Sequence, residues 1–457
     1  MPSSTPGRLT LLRRESAFRL LFLATASSAV GTYLAALALS VDIFDRTGSG
    51  QWLAVLLIAD FLPIVVIGLA LGPLVDRLQR LRLMIVADVA RFGVFCALPF
   101  VDQPEAIVAL AGVNGIATGF FRPAAWAGVP NLVADDDLEQ ANSLLSTIEH
   151  VAWMVGPIAA GLTLAASGPA LAYWINAGTF LVSAALVTRI PGRRLQSGES
   201  LSRGHWRDVR DGLGLVAHTR PLLTVLVVWN TAAVATAGVN VAEVVFAKDD
   251  LGAGNLGLGI LVGATGVGLV IGSFFASTAL ASFGMTRVYG ASLALMGVGF
   301  GAAAAAPSIA VAAVLAAVAT VGNGCAIVCN QLLVQRGAPD PMRGRALAVL
   351  MSTYYATLGL GMAAAGVLTD TLGARTTWAL AGCVYLVASL MAFVMTRRMR
   401  EHAVMRPTLA AVEPPAPSPG LQRLELLLGE IDATRRIEGA RPPKQLPYVP
   451  RRRARSG

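Results

Sequence analysis

The residues of this chain best placed to do chemistry are the ionisable ones inside long apolar runs. An ionisable group in such a segment costs several kcal/mol and marks function by default. Asp60 stands nine residues into the apolar stretch 51–72. At 1.5 Å per residue that is about 14 Å along a helix, close to the middle of a bilayer. Removal from water favours the neutral carboxylic acid, so Asp60 is the first candidate for a group that takes up and releases a proton as its surroundings change. The alternative is a carboxylate hydrogen-bonded between two helices. Glu149 is the second candidate. It lies two turns into the stretch 141–166, one helical face from Trp153 and Gly156, and its alternative is an interfacial pair near the end of that helix. Asp88 and Arg91, three residues apart, can neutralise each other on one helix face and are read as structural. Glu243 comes late in its stretch with Asn240 one turn earlier, which fits an outer gate or a solvated helix end. Cys325 and Cys329 share a face without a histidine beside them, so they are read as small core residues. No metal and no cofactor is expected.

The elements that must position these groups follow from composition. Of 457 residues, 55% are hydrophobic and 14% charged, against roughly 25% charged in soluble domains, which excludes an ordinary soluble enzyme. The apolar residues fall into twelve runs, at 17–43, 51–72, 82–101, 105–127, 141–166, 170–189, 221–246, 255–282, 286–306, 308–335, 345–369 and 375–397. Each run approaches or exceeds the roughly 20 residues that span a bilayer as a helix. The net charge of +9 is not spread evenly: residues 398–457 hold eleven Arg and one Lys against six acids, or +6. With the N-terminus inside, 32 of the 36 Lys and Arg fall in cytoplasmic segments, and the outer loops hold Arg46, Lys248 and Arg375. The positive-inside rule then puts both termini in the cytoplasm of a multi-pass plasma-membrane protein. A nucleic-acid partner is set aside, because the basic tail offers one aromatic, Tyr448, for stacking.

The connection 191–220 is long and polar and divides the spans six and six. Short matches at offsets of 204 (Val66-Ile67-Gly68 with Val270-Ile271-Gly272) and 209 (Asn114-Gly115 with Asn323-Gly324) support a parallel duplication. The expected organisation is therefore a six-helix half over 1–190, a cytoplasmic loop over 191–220, a second half over 221–397 and a basic tail over 398–457. In the tail, Leu421, Leu424, Leu428 and Ile431 recur at helical spacing beside a run of arginines, the pattern of a membrane-surface segment.

Three motifs carry a resemblance. The loop after span 2 reads Gly72-Pro73-Leu74-Val75-Asp76-Arg77-Leu78-Gln79-Arg80, and its Gly, Asp and Arg spacing resembles the signature loop of the major facilitator superfamily. There the loop is a conformational latch, a role the resemblance implies for Gly72, Asp76, Arg77 and Arg80. Gln79 replaces the usual glycine. Span 5 contains Gly156-Pro157-Ile158-Ala159-Ala160-Gly161, similar to the antiporter element of that superfamily; a proline frees a carbonyl and small neighbours admit another backbone. Ala87-Asp88-Val89-Ala90-Arg91, Phe121-Arg122-Pro123-Ala124 and Arg343-Gly344-Arg345 resemble its drug and siderophore exporter branch. The chain departs from many members in having Thr32 where they carry an acid and no arginine in the middle of span 4.

The resemblance implies an all-α polytopic membrane protein of the major facilitator fold, with twelve transmembrane helices in two six-helix halves. It implies a secondary active transporter, a proton-coupled exporter of small hydrophobic or amphipathic compounds, and no enzymatic activity. On spans expected to line a central cavity the polar residues are Asn114, Asn230, Asn323 and Asn330, and the accompanying aromatics include Tyr33, Trp153, Trp229 and Tyr354. So few polar groups suit an amphipathic organic solute better than a sugar. The expected partners are that solute, protons and membrane lipid, with the chain acting as a monomer. Two alternatives stay open: a lipid or lysolipid flippase of the same fold, which lateral openings between spans 5 and 8 would favour, and a non-transporting membrane receptor.

Overall fold

A long apolar segment can leave no backbone N–H or C=O unpaired in lipid, and a helix satisfies them all internally. The computed structural model describes residues 8–70, 78–195, 205–339 and 342–405. These contain helices and turns, with no strand among the described residues. Twelve long helices follow one another: α1 (Ser16–Thr47), α2 (Gly50–Ala70), α3 (Arg80–Ala97), α4 (Pro104–Gly128), α5 (Leu138–Ser167), α6 (Pro169–Val187), α7 (Arg220–Val245), α8 (Gly254–Phe283), α9 (Met285–Ala304), α10 (Ile309–Gly337), α11 (Arg343–Leu372) and α12 (Ala374–Met405). Eleven of them are long and apolar enough to cross a membrane. The remaining one, α9, has 20 residues, about 30 Å of helix, but its apolar character is diluted by Arg287 and four glycines.

The expected spans coincide with these helices to within a few residues except where helix runs on into polar sequence, to Thr47 in α1 and to Met405 in α12. Two helices were not anticipated, and the shorter, Arg8–Arg14, precedes α1. Within the polar connection, His205–His218 is helical, and it packs on α11, where Gly212 lies against the Arg345 backbone and Val349. Val216 on it is buried. Its charged residues hide an amphipathic stripe too short to register as a membrane run. The amphipathic pattern at 421–431 lies outside the described residues.

Helices α1–α6 pack chiefly on one another, with α1 against α5 and α6, and α4 against α2 and α3. Among α7–α12, α10 packs on α8 and α9, and α7 on α11. Two seams join these groups, α5 on α8 and α2 on α11. The helix starts recur with even spacing. Ser16 and Gly50 are each followed 204 residues later by Arg220 and Gly254; Arg80, Pro104, Leu138 and Pro169 are followed 205 residues later by Met285, Ile309, Arg343 and Ala374. The offset of 209 seen in sequence is longer by four residues, about one helical turn, so Asn114 and Asn323 occupy like faces of α4 and α10 one turn apart.

The Asp88 and Arg91 pair is buried within the first group. Asp88 accepts hydrogen bonds from Arg91 and from Ser183 Oγ at 2.8 Å, and the Arg91 guanidinium lies 4.3 Å from the ring centres of both Phe121 and Phe180. The pair thus ties α3 to α4 and α6. Asp88→Ala leaves a guanidinium buried without its counter-charge, which costs about 3–5 kcal/mol. A clear fall in thermal unfolding midpoint in detergent is expected, and an unchanged midpoint would show that the pair contributes little.

Candidate substrate cavity and its outer closure

A helix that faces a cavity presents residues at three- and four-residue spacing to it. On α7, Trp229, Ala232, Thr236, Asn240 and Glu243 follow that rule, and all line one cavity of about 400 Å³. The wall is completed by Tyr289 and Met296 of α9, Asn323 and Asn330 of α10, Tyr354 and Tyr355 of α11, and Tyr385 of α12, with Phe61 of α2 and Trp153 of α5 reaching in from the first group. Much of the wall's polarity is satisfied within itself. Tyr289 Oη donates to Asn330 Oδ1 at 2.6 Å, and the Thr236 and Tyr385 hydroxyls lie 2.8 Å apart. The rings of Phe61 and Tyr355 meet edge to face at 4.7 Å across the α2–α11 seam.

Of the residues expected at a cavity, Trp153, Trp229, Asn323, Asn330 and Tyr354 line this one. Asn230 points elsewhere: it accepts a hydrogen bond from Thr357 Oγ1 at 2.6 Å and so braces α7 against α11. Asn114 is also taken up inside the wall, donating from Nδ2 to Asp60 Oδ1 at 2.7 Å. Asp60 is therefore held between α2 and α4 and is absent from the cavity lining, although its neighbour Phe61 belongs to it. Beside it, Gly115 packs so closely on the Asp60 carbonyl that no side chain would fit.

Glu149 meets Arg122 of α4, whose Nη2 lies 2.9 Å from both carboxylate oxygens. Tyr33, expected at the cavity, is absent from its lining and packs against Gly156 of α5. The pair was foreseeable as an alternative for Glu149 alone; what the sequence withheld was that Arg122, 27 residues earlier, supplies the counter-charge. Of the latch residues, Arg80 is buried, and its Nη1 donates to the carbonyls of Ala127 at 3.0 Å and Leu195 at 2.8 Å. Gly72, Asp76 and Arg77 lie outside the described residues.

The three basic residues predicted to lie outside gather at one end of the bundle, and each ties helix ends together. Arg46 bonds Asp42 at 2.7 Å and Asp102 at 2.9 Å. Arg375 Nη1 donates to the carbonyls of Ala304 and Ala306. Lys248, in the turn that follows α7, forms an ion pair with Asp45 of α1. A second bridge joins the two helix groups at this end. Asp370, at the end of α11, accepts from Ser49 Oγ at 2.8 Å and from the backbone N–H groups of Gly50 and Gln51. It therefore caps the start of α2, where N–H groups have no partner inside the helix.

The Gly156-Pro157…Gly161 element sits at the other seam. Gly156 packs on Tyr33 and Leu34 of α1, and Gly161 packs on Gly259 of α8. A Cβ built on Gly161 would lie 2.9 Å from Gly259 Cα and 3.0 Å from the Asn255 carbonyl oxygen. The two backbones touch, so α5 and α8 close against each other near the predicted outer end. Glu243 was the site residue whose place the sequence left least defined. It has no polar partner among the described residues and lines the cavity five residues before Lys248.

Known proteins bear the same architecture. A bacterial homologue of the iron transporter ferroportin, in an inward-facing state, superposes with a TM-score of 0.67 at 16% identity, covering 83% of this chain and 98% of its own. A bacterial homologue of the lysosomal transporter Spinster, inward-facing and unoccupied, gives 0.65 at 12% identity, covering 86% and 98%. Among sequence relatives, the multidrug efflux pump Tap of Mycolicibacterium fortuitum is 26% identical over 408 residues, 86% of this chain and 98% of Tap. The putative bacilysin exporter BacE of Bacillus subtilis is 27% identical over 330 residues, 70% of this chain and 79% of BacE. The family model described as Transmembrane secretion effector (MFS_3) matches residues 9–419. With twelve long helices among the described residues and a match over nearly its whole length, the chain belongs to that family of major facilitator transporters and is not an enzyme.

Proposed function

We propose that this transporter exports small hydrophobic or amphipathic organic compounds across the plasma membrane, coupled to protons, by rocking of two six-helix halves around the cavity. The observation that carries the reading is an aromatic-lined cavity in the second helix group, with Phe61 and Trp153 of the first group on its wall, beneath an end bridged by Lys248–Asp45 and Asp370. A volume of about 400 Å³ suits a drug-sized solute. The named activities of Tap and BacE, multidrug efflux and bacilysin export, support efflux as the direction. In this reading both termini are cytoplasmic, the bridged end faces outward, and the cavity is loaded from the cytoplasm or inner leaflet by one chain acting alone. The seam between α5 and α8 is packed from Met154–Gly266 through Ile158–Gly263 to Gly161–Gly259. That leaves no lateral opening along this stretch for a lipid chain, so lipid flipping is the less favoured use of the fold.

Asp60 is the leading proton site. When neutral it exchanges an ionic hydrogen bond with Asn114 for a weaker one, which loosens α2 from α4 beside Phe61, and Phe61 touches both cavity and α11. Glu149, paired with Arg122, is the second. Proteoliposomes with an imposed pH gradient should move a lipophilic dye. Asp60→Asn should cut gradient-driven flux at least tenfold while leaving dye binding within about twofold. Full coupling in that variant removes Asp60 from the mechanism and leaves Glu149 to be tested the same way; an absence of dye movement under any gradient defeats the export reading.

A further inference from the structure

We propose that Glu243 and the aromatic wall around it form a binding site for an organic monocation of drug size. The assignment deepens the export reading and rests on it for the claim that the occupant is cargo. Among the described residues Glu243 contributes the one carboxylate of the lining, and no Lys, Arg or His shares the wall with it. Among the described residues no hydrogen bond or ion pair reaches it, unlike Asp42, Asp45, Asp60, Asp88, Asp370 and Glu149, each of which has a partner. A carboxyl without a partner in a cavity otherwise built for apolar contact is stabilised as the carboxylate when the occupant brings the opposite charge.

The rest of the wall selects what kind of cation. Tyr289 and Tyr385 spend their hydroxyls on Asn330 and Thr236, so they offer the cavity ring surface more than hydrogen bonds. With Trp153, Trp229 and Tyr354 they make a π-rich enclosure, and ring faces attract a cation most when it is desolvated. A bare metal ion is excluded by the donor set: no cluster of three His, Cys, Asp or Glu occurs among the described residues, and a single carboxylate does not replace a metal's hydration shell. A large, weakly hydrated ammonium, phosphonium or similar centre with apolar substituents fits both the one charge and the rings.

Three arylated probes of different charge test this: tetraphenylphosphonium, triphenylphosphine oxide, which has one phenyl fewer and no charge, and tetraphenylborate. Their binding to the purified full chain in nanodiscs is read by isotope counting and by quenching of tryptophan fluorescence. The wild-type protein should bind the phosphonium at least tenfold more tightly than the neutral oxide, and the borate most weakly. Glu243→Gln should bring phosphonium and oxide to within about threefold of each other by weakening the cation alone, and Glu243→Asp should restore part of the preference. Equal wild-type affinities, or a preference that survives Glu243→Gln, overturns the proposal. If Glu243→Gln binds neither probe, the wild-type order decides by itself. The two readings fail separately: a neutral probe carried across proteoliposomes without charge preference keeps export and removes the cation site, whereas charge-selective binding without flux keeps the site and removes export.

Discussion

Replacing Asp370 with alanine should open the bridged end of the bundle. Its carboxylate accepts from Ser49 Oγ and from the N–H groups of Gly50 and Gln51, so one side chain at the end of α11 neutralises the start of α2 in the opposite group. Hydrogen bonds to a charged group contribute about 1.5–3 kcal/mol. Because this cap forms only while α2 and α11 meet at that end, its loss shifts the conformational balance by roughly 10- to 150-fold toward the state open there. Distances between spin labels at Gln103 and Asp249, both exposed on turns of that end, should gain a longer population in Asp370→Ala. Asp370→Asn, which keeps an acceptor, should lie between it and the wild type. An unchanged distance distribution would mean that the cap follows closure rather than holding it.

Gly161→Val should stop transport without preventing folding. The added side chain meets backbone, Gly259 Cα and the Asn255 carbonyl oxygen, and backbone cannot swing aside as a side-chain tip does. Small residues at such crossings let membrane helices approach to backbone contact. In valine's presence α5 and α8 stay apart at this level, while the rest of each helix retains its neighbours. Dye efflux should fall at least tenfold with membrane expression unchanged, and a cysteine placed near the seam should become accessible from outside. Gly178→Ala on α6, where a Cβ meets nothing within 4 Å, is the matched control and should be neutral. Efflux within twofold of wild type in Gly161→Val would show that this crossing never needs to close.

The spacing of glycine and proline in span 5 identified a place where another backbone comes close, but not which one. Gly259 carries no such motif, and its pairing with Gly161 depends on how two helices nearly 100 residues apart in sequence cross. Charge behaves similarly. Arg46, Lys248 and Arg375 stand out in sequence as exceptions to the charge asymmetry, and the fold supplies the reason, since each is spent tying helix ends together.

The membrane-spanning helices and the family are legible in the residues alone. Both rest on short-range physics: lipid leaves no alternative to internal backbone pairing, so each long apolar run becomes a helix wherever it lies, and the loop and kink motifs are read within a dozen residues. Where each polar side chain points is settled by how the helices pack. Asn114 and Asn330 look alike in sequence, yet one is consumed by Asp60 and the other lines the cavity. Glu243 reads from sequence as an outer gate or a solvated helix end, and in the structure it is the unpartnered carboxyl of the cavity lining. A rotation of about 100° per residue around a helix axis, and the choice of neighbour at each seam, separate those outcomes, and both are set by packing across the whole bundle.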